Sequence, residues 1–332
     1  MEPYAEVQES YRRFATEATD SPTFTAWALG VAGDPEVQAW IRTLPDLKQQ
    51  PNLVFAAARH HGVAAPGPYD GLRAALLADD ATGAEGAEGP IRATILARAT
   101  QTNEVGRLAT LVPAFAGFAG PLALLEVGAS AGLCLYPDRW GYAWATEAGE
   151  VRLGDEPRLP CRVRGPAPLP ARLPEVAWRG GIDLHPLDVT DPDATGWLET
   201  LVWPEQDERR TRLRQAVEVA RADPPTIVTG DLVAELPGLV ERASAYGTVV
   251  VFHSAVIAYL PPPRRREFDA LVRGLVADGA CHWVSNEAPQ VLPSVTRTGP
   301  PIPEGHPTFV LGIDGQMVAQ THGHGRALRW VG

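Results

Sequence analysis

The stretch LALLEVGASAGLCL, Leu122 to Leu135, holds the residues of this chain best placed to do chemistry. Gly128-Ala129-Ser130-Ala131-Gly132 fits G-x-S-x-G, the elbow that presents a nucleophilic serine between a strand and a helix. Read from Glu126, the same letters give an apolar strand, an acid and small residues at alternate positions, the pattern of a nucleotide-binding turn. Two more acids end short apolar runs, Asp183 in GGIDL and Asp231 in PTIVTGDL. An acid at the end of the second strand can accept from both ribose hydroxyls. Asp183 stands farther from Gly132 than the usual ~20 positions, and a proline-dense stretch between them accounts for the excess. His253 and Ser254 close a fourth run, TVVVFHS, with Tyr259 just beyond.

The acid separates the two readings. A carboxylate buried without a partner is costly, whereas at the carboxyl end of a nucleotide-binding strand it faces a ligand crevice. An elbow also follows several earlier strands, and the residues before Leu122 read as helical. Ser130 therefore points to a nucleotide cradle, with a serine hydrolase as the alternative. For each acid a structural role stays open, since Asp after a strand often caps the next helix. His253 is either a base or a core histidine. His322 and His324 sit two apart on an expected strand with no third ligand in view, so no metal site is expected.

The elements that would position these groups change in texture near residue 120. YAEVQESYRRFATEA, PEVQAWIRTL and LVFAAARHHGV read as helices, and DDATGAEGAEGP as a loop. A longer helix over 91–112 is interrupted by Thr100, Gln101, Thr102, Asn103 and Glu104, which either reach a ligand or mark a capped break between two helices. From Leu122, LALLEV, GGIDL, PTIVTGDL, TVVVFHS and CHWVSNEA alternate with helical segments, which implies a doubly wound parallel sheet. Residues 149–177 read as an inserted hairpin and loop after the first helix. Asp314-Gly315 predicts a closing antiparallel hairpin. The expected domains are a helical cap over 1–118 and an α/β domain over 119–332.

At 332 residues with 45% hydrophobic and 21% charged content, the composition is that of an ordinary globular protein. The net charge of −11 disfavours broad binding to nucleic acid. No run is long enough for a membrane span and MEPYAEVQES lacks a signal pattern, so a cytoplasmic protein is expected. Cys134, Cys161 and Cys281 are expected to be packed thiols.

From Leu122 to Val331 the chain resembles the class I S-adenosylmethionine-dependent methyltransferases, through LLEVGASAG, GIDLHP, TGDL and the fourth strand with its helix. Ser130 stands where that family more often has glycine, and no Asn-Pro-Pro-Tyr run is present. The resemblance implies a Rossmann-like, mostly parallel, seven-stranded sheet. It implies S-adenosylmethionine held by Glu126, Gly128, Ser130, Gly132, Asp183, Asp231, His253 and Ser254, with His253 or Tyr259 as catalytic residue. The polar run inside the expected helix, folded over the sheet's carboxyl edge, would set Gln101, Asn103, Glu104 and Arg107 against a small-molecule substrate. A methyltransferase-like protein that binds a nucleotide or metabolite without catalysis fits the same residues. Over its whole length the chain is similar to the uncharacterised bacterial family, domain of unknown function 2332, through TQTNEVGR at 100–107, EVGASAGL at 126–133, WPEQ at 203–206 and HSAVIAYLP at 253–261.

Overall fold

The computed structural model describes residues 6–79, 88–101, 103–303 and 308–332. Most of the acidic stretch expected as a loop, and Thr102, lie outside them. The chain divides into two compact units, residues 1–102 with 192–212, and residues 103–191 with 213–332. The division thus falls at 102 rather than 118, and a later segment joins the helical unit.

That unit is built from helices whose starts are legible in the sequence. Prolines occupy the first turn of Pro22–Gly33, Pro35–Arg42 and Pro51–His60, where a missing N–H is not needed and φ is already helical. Ser21 and Asp34 cap the first two by accepting backbone N–H bonds. Phe14, Phe24, Trp27 and Phe55 form the core, and Trp203 from the later segment packs against Phe14 at 5.7 Å between ring centroids. The Trp203 indole donates to Asn52 at 3.0 Å, and Glu205 accepts from the Ser21 hydroxyl and the Thr23 N–H. WPEQ is therefore an anchor of the helical unit.

The second unit carries one sheet. The helix expected over 91–112 is two helices, Pro90–Ala97 and Leu108–Phe115, with the polar run as the break between them. The strands are β1 (Leu122–Val127), β2 (Gly141–Thr146), β3 (Gly149–Leu153), β4 (Arg158–Arg164), β5 (Val176–Asp183), β6 (Thr226–Thr229), β7 (Thr248–Ser254), β8 (His282–Glu287), β9 (Phe309–Ile313), β10 (Gln316–Thr321) and β11 (Ala327–Trp330). Their order is β3-β2-β4-β11-β10-β9-β8-β7-β1-β5-β6. The five expected apolar runs are β1, β5, β6, β7 and β8, all parallel. β1 is buried along its whole length, as a strand covered on both faces should be. Leu236, Leu239, Phe268 and Val272, from helices Leu232–Ala243 and Pro262–Ala277, belong to one core with Leu125, Val127, Val251 and Trp283. Phe115 meets Phe252 on the other side. β9 and β10 form the closing hairpin, with Asp314 and Gly315 both at positive φ as a tight turn demands.

Two expectations are corrected. Among the described residues the sheet has eleven strands, not seven, because β11 follows the closing hairpin and β2, β3 and β4 join through the pairing of β4 with β11. No α-helix follows β1 either: Leu133–Leu135 is a single 3-10 turn, and the chain goes directly into β2. Pro137 would fall in the interior of such a helix and break it, and the alternation of GYAWAT suits a strand. The insertion therefore starts at Gly141, and its hairpin is β2 with β3. Arg179 on β5 fixes the turn, donating to the Leu135 carbonyl and to Asp138, each at 2.7 Å, and lying over the Tyr136 ring.

Trp144 on β2 is fully buried, stacks on Tyr142 and donates its indole N–H to the Ala109 carbonyl at 2.8 Å. Trp144→Ala should cost about 3–5 kcal/mol in urea unfolding. The whole sheet should melt in one transition. Early, separate loss of β2–β4 would show that they are an appendage.

Candidate functional site

β1 lies between β5 and β7, so the chain leaves it toward one side and returns on the other. The crevice at such a reversal, beyond the carboxyl ends of the strands, is where open α/β sheets bind ligands. Gly128, Ser130 and Gly132 all have positive φ, +68°, +51° and +68°. Glycine is needed at 128 twice over, since a Cβ there would also lie 2.3 Å from a Val256 methyl. A strained serine is shared with a nucleophile elbow, but the elbow's helix is missing.

Every N–H of this loop has an acceptor inside the protein. Gly128 and Ala129 donate to the Ile182 carbonyl, Ser130 to Asp183 Oδ2 at 2.8 Å, Ala131 to Asn103 Oδ1 at 3.3 Å, and Gly132 to the Ala129 carbonyl. Asn103 also donates to the Ser130 hydroxyl oxygen at 2.8 Å. A triad would place a histidine on that oxygen. Asp183 Oδ1 accepts from the His185 N–H at 2.8 Å. A carboxylate has about four acceptor sites, so Asp183, half-buried, keeps one further site on each oxygen.

Beneath the loop lies Glu126, 9% exposed, with Oε2 buried and without a hydrogen bond. Burial pushes its carboxyl well above the ordinary range; Arg107 pulls it back and Asp183 adds to the rise. Arg107, 6% exposed, donates Nε to the Gly323 carbonyl and Nη1 to the Ser254 carbonyl, each at 2.8 Å. Glu104 accepts the Gly106 N–H at 2.9 Å. Burial, with the charges of Glu126 and Glu104, also pushes the Cys134 thiol well up, which disfavours its thiolate. Cys161 and Cys281 are likewise buried free thiols.

Asn103, Glu104, Arg107, Glu126, Gly128, Ser130, Gly132 and Asp183 thus come together, all within the second unit. Gln101 belongs to the helical unit. Asp231 is a helix cap: it accepts from the Val233 and Ala234 N–H groups and pairs with Arg264 at 2.6 Å, which holds its carboxyl below the ordinary range. His253 is in the core, fully buried. Its Nε2 accepts from the Trp283 indole at 3.1 Å, which can only donate, so the proton is on Nδ1, donated to Glu287 at 2.7 Å. It has no lone pair to offer a substrate. The Ser254 hydroxyl accepts from Asn286, and Tyr259 is an exposed residue of a short turn after β7. The His322 Nδ1 accepts the His324 N–H, and burial lowers that imidazole's affinity for a second proton. Among the described residues no three His, Cys, Asp or Glu side chains converge as a metal site would need, and no helix is long and apolar enough to cross a membrane.

Sequence reasoning passes over Asn286 and Glu287 at the end of β8. Glu287 Oε1 gathers His253 Nδ1 and the N–H groups of Val256 and Ile257. Asn286 links Ser254 to Thr321. Adjacent Asn and Glu closing an apolar strand are a signal of the same kind as Glu126.

A family model matches residues 8–330. The chain belongs to the family described as "Uncharacterized protein conserved in bacteria (DUF2332)". No curated protein and no solved structure matches it. Two of the stretches that resemble this family, 100–107 and 126–133, supply most of the residues that meet in the crevice.

The native state holds the Glu126 proton to higher pH than the unfolded chain, whose glutamates titrate near about 4.3. Its contribution to stability therefore falls as pH rises above that value. Glu126→Gln keeps the shape without the ionisation. Its unfolding free energy relative to wild type should rise between about pH 5 and about pH 8. A gap that is flat or shrinks in urea titrations would place a carboxylate, not a carboxylic acid, in the fold.

Proposed function

We propose that this protein binds S-adenosylmethionine in the crevice beyond β1, β5 and β7 and transfers its methyl group to a small molecule. The observation that carries the reading is the combination of spent loop amides with an acidic surround. A phosphate or pyrophosphate needs free backbone N–H groups at the loop, and these five are taken. Asp183 beside the loop keeps open acceptor sites, and no free donor stands next to it in the loop. A phosphate-free nucleoside carrying positive charge suits that arrangement; a dinucleotide does not.

The residues fit such a donor. Asp183 would accept the ribose hydroxyls with the lone pairs that Ser130 and His185 leave open. Glu126 brings a buried oxygen that lacks a donor. The bound donor supplies an electrophilic methyl group on a sulfonium. With His253 closed off, positioning is the chain's contribution to rate, and the acceptor must arrive with its own reactive lone pair. Asn103, bonded to both Ser130 and Ala131, would hold the loop in place as the acceptor approaches.

One observation favours a second reading, a binder without catalysis. Both nitrogens of the expected base, His253, are engaged in the core. Formation of S-adenosylhomocysteine when protein, S-adenosylmethionine and a fractionated bacterial metabolite pool are incubated separates the two.

Calorimetric titration should show saturable binding of S-adenosylmethionine and none of NAD. Asp183→Ala should weaken that binding by more than about 1 kcal/mol through loss of two hydrogen bonds. Equal affinity in a folded variant would remove Asp183 from the site, and tighter NAD binding would remove the reading. Ser130 should not react with a fluorophosphonate probe, and Ser130→Ala should keep most of the ligand affinity. Labelling lost in the alanine variant would instead assign a serine hydrolase.

A further inference from the structure

The sheet carries a second polar feature that the crevice does not use. On β4, Leu159, Cys161 and Val163 are buried, and Arg158, Pro160, Arg162 and Arg164 alternate with them on the opposite face. Register extends that face over three strands. Ala143 and Ala145 of β2 lie beside Pro160 and Arg162, and Ala327 and Arg329 of β11 lie beside Arg162 and Arg164. The floor is small side chains, and guanidinium groups rise from it. Arg152 and Arg158 on this face have acids of their own, Glu150 and Glu156. Arg162, Arg164 and Arg329 are exposed, and among the described residues no ion pair or side-chain hydrogen bond is formed by any of the three.

Like charges side by side on a sheet destabilise it. Acids outnumber bases 40 to 29 in this chain, so composition does not account for three neighbouring arginines without a carboxylate partner among the described residues. Surface groups that weaken the fold are commonly kept for binding.

We propose that this face docks an extended acidic segment of a partner protein, with carboxylates at alternate positions. Arg162 and Arg164 are two residues apart on one strand, about 6.6 Å, and Arg329 lies one strand over from Arg164, about 4.8 Å away. Alternate side chains of an extended peptide repeat at the same 6.6 Å or so. Successive acids can therefore meet Arg162 and then Arg164 with Arg329 as a forked pair. A nucleic acid fits less well. The aromatic residues of β2, Tyr142 and Trp144, are buried, leaving bases nothing to stack on. A long polyanion also meets the repulsion of a −11 chain, whereas a short segment feels charges only within the Debye length of about 8–10 Å.

The test is fluorescence anisotropy on the full chain, with a labelled decapeptide of alternating Glu and Ser, its Lys-Ser counterpart, and a ten-nucleotide oligouridine. The Glu-Ser peptide should bind saturably at low salt, more weakly as salt rises, and the Lys-Ser peptide should not. Arg164→Gln and Arg329→Gln should each weaken binding roughly two- to five-fold, the range of one exposed ion pair, and the triple variant with Arg162→Gln roughly ten-fold or more. Arg12→Gln, an exposed arginine on the helix Val7–Glu17, should leave affinity unchanged. Melting temperatures of the three sheet variants should stay level or rise. The proposal is overturned if the wild type shows no saturable binding of the acidic peptide or if the variants bind it as well as wild type does. It is also overturned if oligouridine binds more tightly through the same arginines, which would make the face a nucleic-acid surface.

Discussion

A guanidinium can stay charged inside a protein only when its N–H groups are bonded and counter-charge is near. Arg107, in the crevice, bonds Nε and Nη1 to carbonyls and lies near the acids Glu126 and Glu104. Its two carbonyl partners come from segments far apart in sequence, Ser254 at the end of β7 and Gly323 after β10. Its charge opposes the rise in the Glu126 carboxyl. One side chain therefore holds two strand ends together and tempers the acid on a third. The backbones follow closely, since a Cβ on Gly325 would lie 1.9 Å from the Gly106 carbonyl oxygen. Nothing larger than glycine lets that turn approach the arginine's own segment.

Around this pin the carboxyl ends of β7 and β8 are locked by polar contacts that serve the fold. Glu287 draws His253, Val256 and Ile257 to one oxygen, which fixes the turn in which Ala255 has φ +59°. That turn sets Val256 against Gly128. Asn286 then joins Ser254 to Thr321. Groups that the sequence presents as chemical candidates are thus spent on rigidity, and the glycine-rich loop is seated against a wall that cannot shift freely. Pre-organisation of this kind reduces the ordering cost of binding.

The parallel core was legible because strands covered on both faces must be continuously apolar, and Asp314-Gly315 marked the hairpin by a turn chemistry few residues share. The extra strands were not legible. β4 pairs with β11, more than 150 residues later, and local pattern carries no sign of such a partner. Pro137 did forbid a helix after β1, but the glycine motif ahead of it suggested one more strongly. At the site, position was readable and role was not. Asp183 and Asp231 both end apolar strands, yet Asp231 precedes a helix and meets Arg264 from a helix that begins some thirty residues on. His253 read as a base or a core residue alike, and only Trp283 across the strand pair decides it, by donating to the nitrogen a base would need.

The missing helix and the occupied loop amides have one cause. A helix after a glycine-rich turn offers unbonded N–H groups and a positive dipole end, which together make an anion site. Here the chain passes from the loop into a 3-10 turn too short for either. The loop N–H groups, buried among Ile182, Asp183 and Asn103, must then find acceptors within the protein, because an unbonded buried amide costs about 1–3 kcal/mol. Asp183 and Asn103 supply two of them, and Ile182 and Ala129 the rest. The hydrogen-bonding capacity still open at this crevice therefore lies on side chains and not on the loop backbone. The polar side chains left beside the loop are the Asp183 carboxylate, the buried Glu126 carboxyl and an arginine already committed to two carbonyls.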